Sequence, residues 1–376
     1  MDKNSNIRTD IFEYDKAFSV FKSSTPQNPV GTLYMQTLLN HLKDAGCICY
    51  GHDPVMIGDV CCGTAENTID YLRNVDFKPG FDIRGFDANP QYTGYQGNQL
   101  ITSDMYQPLH SQTDGLAEIN LAKAKQSQII PLKHYQIRHG DALKDNLVQL
   151  LLTEDEINQK ISPFRLIFLS HCVYYFIDDG QENHQQLKEV IGKLESDLLA
   201  QDGIIVLFHS TLVPNSFAVM VAKFSFNRLK DITPTAEEYN QFSCDAVIRS
   251  VCHQLGLRCF ELSYFSPLYL SQYLSQYADI FKDPNRYDEL LSNDEALQDL
   301  YRLLFMAHRS PQDLYQDTSS TGLTNLVDQV IKMVGSDSYL NGRIAIQIIP
   351  SKNASQQFIQ RLETIVDNIN HSPLAK

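Results

Sequence analysis

VMIGDVCCGTAENT, residues 55–68, reads as a strand, a turn of small residues and the start of a helix. VMIGDV (55–60) is a short, nearly continuous apolar run of the kind that parallel strands covered on both faces require. Small residues follow, and they let a backbone come close to a ligand where a strand turns into a helix. ENTIDYLRNV then takes up helical spacing. Outward from this unit the alternation repeats. Strands are predicted at FDIRGFD (81–87), HYQIRHG (134–140), FRLIFLSHCVYYF (from 164), GIIVLFHS (203–210), LRCFELSYF (257–265) and GRIAIQIIP (342–350). Helices are predicted at 114–128, 141–152, 184–200 and 235–256, the last opening on a capping box (Thr235 with Glu238) and closing on Gly256. This order predicts an α/β fold: a Rossmann-like, seven-stranded, mostly parallel sheet with helices on both faces. The predicted layout is a helical segment at 1–50, the core at 51–266, a helical insertion at 267–335, and the last core strand and helix at 336–376.

Composition narrows the function classes. The chain has 376 residues and a formal net charge of −14, with a pI near 5.2. Nucleic-acid binding draws on clustered Lys and Arg, and no basic stripe is present, so a nucleic-acid partner is not expected. No apolar run approaches the roughly 18 residues that cross a bilayer, and the N-terminus lacks an apolar signal core; a cytoplasmic protein without a membrane partner is expected. There are eight cysteines. None stands in a CxxC pair or a zinc-ligand spacing, so free thiols in a reducing compartment are expected and no metal. The oligomeric state stays open, a monomer being compatible.

In open α/β sheets ligands sit beyond the carboxyl ends of the strands, which singles out the turns after strands one to five, and the first four carry candidate residues. The first turn offers Asp59, Cys61, Gly63 and Ala65. Asp87, followed by Ala88, ends the second strand, where a carboxylate can accept from both hydroxyls of a ribose and repels a 2′-phosphate. Gly140-Asp141-Ala142 ends the third; Asp141 can equally cap the following helix. Ser170, His171, Tyr174 and Tyr175 end the fourth, joining a group that titrates near neutrality to aromatic faces that attract cations. Asn89-Pro90-Gln91-Tyr92 looks like the NPPY of adenine-modifying DNA methyltransferases, but it follows the second strand rather than the fourth and is set aside.

The turn D-x-C-x-G-x-A resembles the first motif of class I S-adenosylmethionine-dependent methyltransferases, with Cys61 and Ala65 in place of the outer glycines. Asp87, the GDA at 140–142 and the strand-four Tyr pair fall where that superfamily places its other motifs. The resemblance implies S-adenosyl-L-methionine as cofactor, held by Asp59, Cys61, Gly63, Ala65, Asp87, Ala88, Gly140, Asp141, Ala142 and Ser170. The order of segments is similar to the histamine N-methyltransferase-like branch. Tyr14-x-x-x-Phe18-x-x-Phe21 resembles its lid-forming lead-in, VYYF its LYYV, and LQDLYRLLFMAHRSPQDL its helical insertion. Gln27 is the nearest match to a family Glu, Phe217 to a family tryptophan, and Asn341 falls at or beside an Asn used on the amine. The resemblance thus implies a lid at 1–50, a substrate set of Tyr14, Phe18, Gln27, Tyr175, Phe217 and Asn341, a catalytic set of His171, Tyr174 and Tyr175, and a small acceptor with a nitrogen nucleophile. Gln27 and the absence of tryptophan count against histamine itself. Methylation of an oxygen, methylation of a protein, and an inactive binding protein are the other readings. A nicotinamide dehydrogenase is disfavoured by the missing first glycine and the Tyr pair.

Overall fold

The structure is a computed structural model, described here for residues 20–48, 53–94, 115–159, 163–177, 184–224, 228–231, 233–270, 339–372 and 374. Its strands are β1 (Val55–Val60), β2 (Phe81–Asp87), β3 (Leu132–His139), β4 (Phe164–Ser170), β5 (Leu199–Ser210), β6 (Phe260–Phe265), β7 (Leu268–Tyr269), β8 (Tyr339–Leu340) and β9 (Arg343–Pro350). Seven of them form one sheet in the order β3-β2-β1-β4-β5-β9-β6. β1 is parallel to β2 and β4, β2 to β3, and β4 to β5, while β9 runs antiparallel to β5. This is the predicted mostly parallel α/β sheet. The order reverses between β1 and β4, and the carboxyl ends beside that switch point are where such folds bind ligands.

Both faces of the sheet are covered, and the register shows it residue by residue. Ile204, Val206 and Phe208 of β5 join a core with helices Gln27–Asp44, Glu66–Leu72, Leu116–Gln126 and Gln356–Asn370. Ile205 and Leu207, between them in sequence, join a second core with Leu147–Leu151, Gln185–Lys193 and Cys244–Leu255. Successive strand side chains point to opposite faces, so one apolar run supplies two cores. Among the described residues no helix is long and apolar enough to cross a membrane.

The chain divides into two compact units. One comprises residues 30–210, 241–264 and 344–376, and holds almost the whole sheet; the other comprises 1–29, 211–240 and 265–343. Within the second unit β7 and β8 make a small antiparallel pair that the sequence reading lacked. Phe21 stacks on Phe217 at 5.1 Å between centroids, and the Thr25 and Ser266 hydroxyls lie 3.0 Å apart. The helical insertion falls outside the described residues apart from its first four.

Several boundaries differ from expectation for physical reasons. The stretch 184–200 is helical only to Leu198, with a wide final turn at Leu194–Leu198, because Leu199 pairs with Phe164 and starts β5 early. The stretch 235–256 is two helices, Ala236–Phe242 and Cys244–Leu255, broken at Ser243, whose hydroxyl bonds the Asp245 carboxylate. Side chains of this kind compete with the helical ladder and mark caps. The Thr235–Glu238 capping box and the left-handed Gly256 cap both form. The stretch 141–152 is helical only over Leu147–Leu151, and Asn146 caps it, not Asp141.

Candidate functional site

The turn after β1 has an unusual backbone. Cys61, Gly63 and Ala65 all have positive φ, at 56°, 54° and 58°. Every second residue is therefore left-handed, a conformation that costs an L side chain about 1–2 kcal/mol. Only Gly63 adopts it freely. These three positions are the ones where the D-x-G-x-G-x-G pattern carries glycine, so the turn keeps its shape although two glycines are replaced. Surrounding bonds hold it: the Cys62 amide donates to the Phe86 carbonyl at 3.0 Å, and the Asn120 side-chain amide donates to the Thr64 carbonyl at 2.9 Å. A Cβ placed on Gly63 would meet nothing within 4 Å, so the space over the turn is open. Ala65 also precedes helix Glu66–Leu72 without a side-chain cap. Ala65→Gly is therefore expected to stabilise the protein by about 1 kcal/mol, the left-handed strain being partly offset by glycine's entropy. Thermal unfolding should show a rise of about 2 °C; an unchanged or lower midpoint would mean that Ala65 carries no strain.

Asp87 closes the other side of this opening. Its carboxylate accepts the Gly63 amide at 2.9 Å through one oxygen and the Asn89 amide at 2.8 Å through the other. A carboxylate has about four acceptor directions, so with these backbone amides bound it still has room to accept from a ligand hydroxyl. Burial pushes the Asp87 carboxyl up, while the Asn89 and Gly63 amides and the nearby His139 pull the other way. The Asp87 carbonyl takes the Gly140 amide at 3.0 Å, which fixes the ends of β2 and β3 together. A side chain at Gly140 would press on the Leu150 side chain of the helix below, which would have to shift.

Asp59 differs from Asp87. It is buried beneath the turn and accepts the Thr68 hydroxyl at 2.7 Å. Burial, together with the charge of Asp87, raises its carboxyl to about 7. It ties the end of β1 to helix Glu66–Leu72 beneath the turn. Asp141 accepts the Leu143 amide at 2.9 Å and pairs with Lys144, while Ala142 packs on the core beneath. Ala88 is exposed beside Asp87.

The end of β4 forms the fourth side. Ser170 lies 3.4 Å from the Tyr71 hydroxyl. His171 also has a positive φ, 57°; its amide donates to the Phe208 carbonyl at 2.7 Å and its ring meets Phe208 edge-on at 4.7 Å. Non-glycine residues held in this region often mark functional sites. Tyr174 and Tyr175 do not continue the strand. They lie on a single tight turn, Val173–Phe176, with rings 4.4 Å apart and Tyr175 exposed.

The structure thus gathers Asp59, Cys61, Gly63, Ala65, Asp87, Ala88, Gly140, Asp141, Ala142, Ser170, His171, Tyr174 and Tyr175 in one unit, on the carboxyl ends of four neighbouring strands. The other expected substrate residues belong to the second unit. There Gln27 is buried, its amide donating to Thr25; Phe217 is buried on Phe21; and Asn341 bridges Ser216 and donates its amide to the Asn215 carbonyl. Tyr14 and Phe18 lie outside the described residues. Sequence reading missed four contributors: Thr68, the Asn89 amide, and the pair His139 and Thr93, whose ring nitrogen and hydroxyl are 3.3 Å apart beside Asp87. His139 was findable as the residue before Gly140. Asn89 was hidden because only its backbone acts.

No family model matches the chain and no curated protein matches it. Solved structures similar to it include the YcgJ protein from Bacillus subtilis, at 12% identity over 83% of this chain and 97% of that one, TM-score 0.39. A cyclopropane-fatty-acyl-phospholipid synthase-like protein from Lactobacillus casei is 13% identical over 84% of this chain and 91% of that one, TM-score 0.38. The phosphoethanolamine N-methyltransferase 2 of Haemonchus contortus, in complex with phosphomonomethylethanolamine and S-adenosylhomocysteine, is 10% identical over 82% of this chain and 52% of that one, TM-score 0.35.

Proposed function

We propose that the protein is an S-adenosylmethionine-dependent methyltransferase acting on a small molecule through a nitrogen nucleophile. The observation that carries this reading is Asp87, tethered by the Gly63 and Asn89 amides at the edge of a turn whose three glycine-type positions are all left-handed. Asp87 would accept the two ribose hydroxyls, the 61–65 backbone would lie against the ligand, and Gly140-Asp141-Ala142 would flank the adenine. When bound, S-adenosylmethionine supplies a methyl group already activated by its sulfonium. The chain has therefore chiefly to orient the acceptor, exclude water and take a proton. An attacking amine must be neutral, and His171 at the end of β4 is the proposed acceptor of its proton. Tyr174 and Tyr175 would present aromatic faces to the cationic groups.

Two measurements test this reading. S-adenosylhomocysteine should raise the melting temperature, and the rise should keep growing with the logarithm of its concentration above the Kd; no shift at millimolar ligand would reject it. His171→Ala is expected to lower kcat on a methylated amine by about 100-fold, the scale of one general base, while S-adenosylhomocysteine affinity changes less than threefold. Unchanged turnover would remove His171 from the chemistry, and methyl transfer to hydroxyl or carboxyl acceptors alone would replace the nitrogen nucleophile by an oxygen one.

A further inference from the structure

Two pairs of thiols meet in the fold. Cys252 of helix Cys244–Leu255 and Cys259, just before β6, interact outside the site. Cys61 and Cys172 interact within it. β1 and β4 are adjacent parallel strands, paired up to Val60 and Leu169. Cys61 follows Val60 directly, and the Cys172 sulfur lies 3.7 Å from the Val60 carbonyl, the group bonded to the Cys61 nitrogen. After β4 the chain turns at the left-handed His171, and the next residue, Cys172, brings its sulfur over the Val60–Cys61 peptide. The two side chains are unequal in access: Cys172 is buried and Cys61 is partly open at the mouth of the turn.

We propose that Cys61 and Cys172 form a reversible redox site, in which a hydroperoxide converts the two thiols to a disulfide that closes the cofactor turn. The steps balance. The Cys61 sulfur attacks the peroxide O–O bond, giving a sulfenic acid and, from hydrogen peroxide, water. The Cys172 sulfur then displaces hydroxide from the sulfenic sulfur; the thiol proton joins that hydroxide as a second water, and the S–S bond forms. The peroxide is reduced by two electrons and the two thiols are oxidised by two. Access decides the order, since the open Cys61 meets the oxidant and the buried Cys172 resolves it. Cys61 holds one of the three left-handed positions of the turn. Drawing its sulfur onto Cys172 locks residue 61 against β4 and fixes the loop whose backbone must fit the ligand.

The effect on binding rests on the methyltransferase reading, whereas the cross-link itself does not, and the experiment separates them. The full chain is treated with hydrogen peroxide, alkylated and digested, and the peptides are weighed. The expected product is a disulfide joining the peptide of Cys61 to that of Cys172, abolished by Cys61→Ser and by Cys172→Ala but kept in Cys62→Ser. A Cys61–Cys62 link, or sulfinic acid at Cys61 without a cross-link, overturns the proposal. The thermal shift with S-adenosylhomocysteine is then read on the same samples. Oxidised wild type should lose it and regain it with dithiothreitol, while Cys172→Ala should keep it after peroxide. A cross-linked protein that still binds overturns the closing role. Failure of the reduced wild type to bind would count against the methyltransferase reading and leave the cross-link standing.

Discussion

Asp87→Ala is expected to weaken S-adenosylhomocysteine binding by at least about 100-fold, with the melting temperature of the free protein little changed. The size follows from what one side chain does. Two ribose hydroxyls on a carboxylate are hydrogen bonds to a charged acceptor, each contributing about 1.5–3 kcal/mol, and about 1.4 kcal/mol is tenfold in affinity. The same oxygens hold the Gly63 and Asn89 amides, so the substitution also frees the rim against which the ligand must fit. Asp87 is only half-buried, and water can replace it on those amides in the free protein. Asp87→Asn should fall between, because its one oxygen can serve either the turn or the ribose. Calorimetric titration decides the matter: an affinity within threefold of wild type in Asp87→Ala would remove the ribose assignment. A carboxylate here should also exclude a ligand with a 2′-phosphate, so NADP should produce no shift.

The residues that were legible in the sequence are those whose chemistry is local. A buried strand needs an unbroken apolar run, and a ligand turn needs small residues and an acid at the next strand end; VMIGDVCCGTA and FDIRGFD state both without help from the rest of the chain. The left-handed backbone at Cys61 and Ala65 was not legible, because neither residue type favours it. It is imposed by bonds from Phe86 and Asn120, 24 and 56 residues beyond the turn atoms they hold. The early start of β5 has the same origin. LESDLLA has helical spacing, and only the long-range pairing with Phe164 takes Leu199 out of the helix. The break at Ser243 was legible in principle, since Ser-Cys-Asp is a cap signal, but the periodicity on both sides reads through it. The Tyr pair was legible as aromatic and misplaced as strand, because the turn at His171 depends on the Phe208 carbonyl of the neighbouring strand.

The second large effect concerns pH. Asp59→Asn is expected to flatten the decline of stability between about pH 4 and pH 7. The Asp59 carboxyl is raised by burial to about 7 in the folded protein, against about 3.9 in an unfolded chain. Below pH 4 both states are protonated and Asp59 carries no penalty. Between the two values the unfolded state loses its proton and the folded state keeps it, so the native state binds more protons and stability falls as pH rises. Above pH 7 the penalty is complete, at most about 4 kcal/mol for a shift of this size. Asparagine of the same shape can still accept the Thr68 hydroxyl and has nothing to titrate. Asp87 is shifted in the same direction, so a residual slope should persist in the variant. Urea unfolding at pH 4.5 and pH 7.5 provides the check. The stability of Asp59→Asn relative to wild type should improve by several kcal/mol from the lower pH to the higher. Two parallel curves would show that Asp59 stays ionised under the turn, and its role would then be that of a buried charge facing the ligand rather than a neutral brace beneath it.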